Sequence, residues 1–263
     1  RLAVLTLDRD GVHVRAPLGA SPAAVAAVLA ALPPESATGF ELTIETKTML
    51  DLLRDRQRMA YEGPRWDSDP PCSVHIASIP QEFARQVESE TRGVLHPLSF
   101  VLDSLAALPG RKHLFYLTDG LPLQAGIEGF EALRVLCDGT GARQGIAYSV
   151  DVESDPKLRD NPLIYRPSQA TMDGAQASIA SALAEITEHA NAANVAMQTV
   201  QASGLAAGNP EASEGGSRTT TAEERSAAAA NLRDPLSSMA SATGGSLVVD
   251  TNDVGEAVAA TAA

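Results

Sequence analysis

The chain has 263 residues, of which 44% are hydrophobic and 20% charged. That is enough for one large domain or two small ones with a real core, and it excludes disorder throughout. With Lys+Arg at 20 against Asp+Glu at 33 the net charge is −13. A phosphate backbone would be repelled and no basic stripe offsets this, so nucleic acid is not an expected partner. No apolar run reaches the roughly 20 residues of a membrane-spanning helix.

Leu2 to Leu7 is apolar on both faces, as in a central strand, whereas Val12, Val14 and Ala16 alternate with His13 and Arg15 as in an edge strand. Asp8-Arg-Asp-Gly11 between them predicts a hairpin turn. It is not a calcium loop, because the Glu that should close such a loop is Gly19. A chain that opens on Arg1 and enters a strand at once is expected to start inside a fold.

Ser21-Pro22 supplies an N-cap and a first-turn proline. Val25, Val28, Leu29 and Leu32 then predict an amphipathic helix covering the sheet, ended by Pro33-Pro34. A second helix is expected over Thr43 to Met59, with Ile44, Leu50 and Leu53 inward and Arg54, Arg56 and Arg58 solvated. Residues 60–80, with Gly63-Pro64, Trp66 and Asp69-Pro-Pro71, read as a surface insertion. Pro80 to Leu108 is the longest helical pattern, with a kink or split expected at Pro97. Pro109-Gly110 stops it before the strand His113 to Thr118.

Residues 121–175 read as a second insertion, with a short helix near Phe130 to Leu136 and a possible strand at Ile146 to Val150. The helix-then-strand order returns twice, first from Ile179, Leu183 and Ile186 into Val195 to Val200. It returns again from Leu236 and Met239 through Thr243-Gly-Gly245 into Leu247 to Val249. Residues 204–224, rich in Gly, Ser, Thr and Glu, are expected to form a mobile loop, and a last helix is expected from Asn252 or Asp253. Cys72 and Cys137 lack any CxxC spacing and read as two small buried hydrophobes, with one bridge between them allowed in an oxidising compartment.

Several chemistries lack their residues. There is no GxSxG, no GxGxxG opening a helix, no GxxxxGK[ST], and none of the five histidines forms HExxH. A hydrolytic centre built from Asp67, Asp69 and His75 is the weakest of the readings kept. Asp119 differs, because it follows a buried strand and precedes Gly120, where open α/β sheets place ligands and where a carboxylate could meet Mg2+.

The segment Leu108 to Gly120, LPGRKHLFYLTDG, resembles the lPGRKxlxxxSDG block of von Willebrand factor A-like domains of the bacterial VWFA-related group. His189 to Leu205 is similar to that group's ANxAxVxxYxxDxxGL block, and Leu236 to Val254 to its closing LAxxTGG…NDl block. The resemblance implies one von Willebrand A-like domain over residues 1–263. Its fold would be a doubly wound, mostly parallel sheet with helices on both faces, lacking its first strand.

It also implies a metal-ion-dependent adhesion site in which Asp119 is a metal ligand for Mg2+. A partner protein's acidic residue would complete the shell. The implied function is protein binding without catalysis, at an extracytoplasmic location; a structural A-like domain without metal is the alternative. The DxSxS strand of that site would precede Leu2, and no middle-loop Thr is assigned, since the nearest candidate, Thr91, reads as continuous helix. Gln201 stands where the group carries Asp, and the group's Tyr in that block is also replaced.

Overall fold

A computed structural model describes residues 2–8, 11–31, 38–63, 70–201 and 222–249. It is a mixed α/β structure, 59% helix, with a three-stranded parallel sheet and a small two-stranded antiparallel sheet. Its strands are β1 (Leu2–Asp8), β2 (Gly11–Ala20), β3 (Lys112–Thr118), β4 (Val195–Gln201) and β5 (Leu247–Val248). Its helices are α1 (Pro22–Ala31), α2 (Thr38–Glu62), α3 (Val74–Ala106), α4 (Ile127–Cys137), α5 (Thr140–Arg143), α6 (Pro156–Arg159), α7 (Pro167–Gln176), α8 (Ala180–Ala192) and α9 (Ala222–Ala242). No helix among the described residues is long and apolar enough to cross a membrane.

The chain divides into two compact units: residues 1–40, 90–122 and 180–263, and residues 41–89 and 123–179. The first carries both sheets. β3, β4 and β5 are parallel in the order β3-β4-β5, with Lys112 opposite Val195 and Thr199 opposite Leu247. The expected helix-to-strand grammar is therefore present. β4 is central, and all its residues but Gln201 are buried. Among the described strands β3 is paired on one side only, with β4, and Leu117 is 47% exposed.

Leu2 to Leu7 is not a central strand of that sheet. Among the described residues β1 pairs only with β2, antiparallel with Asp8 opposite Gly11, as the hairpin reading requires. α1 starts where Ser21 predicts, its hydroxyl accepting the Ala24 amide at 3.2 Å. It is not amphipathic, however, because Ala, Val and Leu occupy every face. None of its residues is buried, and Leu29 is 50% exposed.

The Thr243-Gly-Gly245 block ends α9 by a physical device. The Gly245 amide donates to Ala240 O and the Gly244 amide to Ser241 O, with Gly244 at φ 72°, a Schellman motif. A Cβ on Gly245 would stand 1.9 Å from the Met197 carbonyl, so this close approach admits only glycine. Thr243 Oγ1 accepts the Met197 amide at 3.0 Å and donates to Met239 O, fixing the end of α9 against β4.

The second unit is helical and closed by a disulfide between Cys72 and Cys137, whose Cα atoms are 5.9 Å apart. This corrects the reading of two unlinked cysteines, since a separation of 65 residues leaves no local signal of pairing. Both residues are fully buried, among Leu53, Ile76, Leu133, Leu136, Val152 and Ile164. α2 reaches them with an inward face of Met49, Leu53 and Gln57, not Ile44, which is 50% exposed. Gln57, also fully buried, accepts the Cys72 amide at 2.8 Å and donates to Tyr148 O at 3.2 Å.

Four further expectations change. α3 begins at Val74, capped by the Ser73 hydroxyl, and runs on through Pro80 and Pro97 without a break. The insertion read at 60–80 is thus largely the end of α2 and the start of α3; Trp66, Asp67 and Asp69 lie outside the described residues. Ile146 to Val150 is not a strand; nearby, Asp138 and Asp151 form a single bridge. Of the loop read at 204–224, residues 222–224 open α9 and the rest, like the helix expected after Asn252, lies outside the described residues.

Candidate functional site

Parallel strands present their carboxyl ends together, and ligands of open α/β sheets bind beyond those ends. Here β3 ends in Thr118 and β4 in Gln201, register partners, and Asp119 follows β3 directly. Asp119 is only 7% exposed. Gln201 Nε2 donates to its carbonyl at 3.2 Å and so ties the two strand ends together.

Thr118 Oγ1 accepts the Gly120 amide at 3.3 Å and lies 3.2 Å from Gly120 O, folding the chain back on itself. Gly120 is required for that turn. Its φ is 152°, and an added Cβ would meet Leu232 Cβ of α9 at 2.9 Å. The next amide, Leu121 N, donates to Leu232 O at 3.1 Å, anchoring the loop on α9.

Tyr116, two residues before Thr118, is buried, and its hydroxyl pKa is pushed up to about 12. Burial is the main cause; a hydrogen bond with Thr118 opposes it and the Asp119 charge adds to it. Its neutral hydroxyl is a hydrogen-bonding group beside the turn.

The arrangement presents one carboxylate-bearing residue on a rigid turn at the end of a parallel strand. A Mg2+ site with several waters needs one or two carboxylates. Asp119 meets the lower of those numbers, and among the described residues no three His, Cys, Asp or Glu side chains come together to hold a metal ion. Thr91 is a buried residue in the middle of α3, as its sequence suggests. Met197 is fully buried in β4 and supplies no oxygen.

Of the residues considered for hydrolysis, only His75 is described, and it lies in the first turn of α3. Sequence reasoning missed Gln201 as a positioning group. Its one sequence signal was a polar side chain at the end of the apolar run Val195 to Val200; that it lies level with Thr118 needs the register of the sheet. Comparison with family models, with curated proteins and with solved structures finds no match for this chain.

Proposed function

We propose that the chain is a non-catalytic protein-binding module of the von Willebrand A-like kind, with a Rossmann-like sheet as its scaffold. One observation carries the reading: Asp119, buried on a turn at the carboxyl end of β3 beside the end of β4. A cation held there would supply a binding point for an acidic residue of a partner protein, as the resemblance implies. The chain's own residues fix the backbone that carries the carboxylate: Gln201 ties it to β4, and Thr118 and Gly120 set the turn. The buried disulfide supports an extracytoplasmic location, because such bonds persist in oxidising compartments.

Calorimetric titration of Mg2+ into the protein and into its Asp119→Ala variant tests the cation role. Saturable binding to the parent, weakened at least tenfold in the variant, is expected. Equal binding by both removes Asp119 from the site. Binding by neither favours the second reading, an A-like domain that contacts partners without metal, for which the lack of a three-ligand cluster among the described residues speaks.

A further inference from the structure

A second feature of the sheet-bearing unit has no part in that reading. α3 and α8 leave between them a cleft of about 260 Å3, lined by Arg92, Leu95, His96 and Ser99 on one side and Ala182, Glu185 and Ile186 on the other. Leu95, Ala182 and Ile186 are buried and form an apolar floor, while Arg92, His96 and Glu185 are exposed at the rim. Past the cleft on both helices, His189 Nδ1 meets Asp103 Oδ1 at 2.6 Å and bridges α3 to α8. Glu185 lies 3.9 Å from His189 Nε2, so it sits toward that bridged end.

Arg92 is eleven positions before Asp103 on α3 and therefore about 16 Å from it along the axis, at the opposite end. From Arg92 to Ser99 the cleft is about 10 Å long. It thus has a cationic end, an apolar floor and an anionic end, in a space below the roughly 300 Å3 at which sites for drug-sized molecules begin. That length suits a single extended residue. Opposite charges at the ends call for a ligand with opposite charges at its own ends and methylenes between them.

We propose that this cleft binds a basic amino-acid residue bearing a free carboxylate. Its carboxylate would meet Arg92, its methylenes would cover Leu95, Ala182 and Ile186, and its cationic head would meet Glu185. Arginine and lysine share this chemistry, and it can come from a peptide C-terminus or from the free amino acid. The net charge of −13 adds to the attraction for a cationic head. The inference is independent of the Asp119 reading, since none of its residues lies at the end of β3.

The test is titration of the isotope-labelled protein with Nα-acetyl-L-arginine, followed by amide chemical shifts. Saturable shifts centred on Leu95, Ser99, Ala182 and Ile186 are expected. Nα-acetyl-L-arginine amide, which lacks the carboxylate, should bind about tenfold more weakly or worse. Glu185→Gln and Arg92→Gln, both at exposed positions, should each weaken binding by a similar factor. Tighter binding of free L-arginine than of the acetylated form would assign the site to the amino acid, and the reverse to a peptide C-terminus. Absence of saturable shifts at tens of millimolar ligand, or affinities unchanged by both substitutions, would overturn the proposal.

Discussion

In the sheet-bearing unit, β4 buries six successive residues between two partner strands, and each polar group near it is answered by a neighbouring element. Thr243 serves the Met197 amide, and Gln198 Oε1 accepts both the amide and the hydroxyl of Ser246. Among the described residues of the disulfide-bearing unit no strand runs through the core. Its helices meet around Cys72–Cys137, with Gln57, Ser73 and Ser149 as buried polar residues. One unit is ordered by a backbone ladder that needs close approach; the other relies on a covalent link and a few buried side-chain hydrogen bonds. A parallel ladder satisfies backbone groups by itself, whereas short helices and loops leave many to be met singly.

Removing the covalent link should have the largest effect. The Cys72→Ala/Cys137→Ala double variant opens a loop of 65 residues, and chain entropy sets its cost at about 4 kcal/mol. Chemical denaturation should register it, with early proteolysis falling in residues 41–89 and 123–179. If residues 180–201 and 222–249 lose protection first instead, the contrast between the units fails.

Gly245→Ala is the matching test of the ladder. Its Cβ would collide with the Met197 carbonyl, and overpacking against backbone costs about 3 kcal/mol. Hydrogen exchange should accelerate at the Thr199 amide, which donates to Ser246 O, before it does in the disulfide-bearing unit.

The smallest effect concerns His189. Asp103 holds its pKa above the ordinary 6.5 by a hydrogen bond, with Glu185 and Glu188 adding charge. The pair's contribution to stability is thus complete below pH 6.5 and is lost as pH rises through the raised folded value. Both side chains are substantially exposed, so the change amounts to about 0.5 kcal/mol or less. Thermal unfolding of the parent and of His189→Gln across that range should converge at the alkaline end.

Legibility in the sequence followed how local each cause is. Ser21 ahead of α1, the stop at Pro109-Gly110 and the glycine pair after α9 act within a few residues, and each is where the sequence places it. β3 and β4 were readable from their apolar runs. Asp119 could be placed at the end of β3, but Gln201 could not be joined to it without the register of the sheet.

The misread elements have distant causes. Gln57 looks like one more polar residue in a charged helix until Cys72 and Tyr148 are brought to it. α1 was misread because alanine counts toward any face. β1 was misread because an apolar run states that it can be covered, not by what.

The buried disulfide also makes the second unit its own clock. Cys72 and Cys137 are both inaccessible in the folded chain, so a thiol reagent can attack only after that unit opens. The rate at which dithiothreitol reduces the native protein therefore counts the openings of this unit alone. The same burial ties maturation to opening, since an oxidant reaches the sulfurs only while the helices are apart.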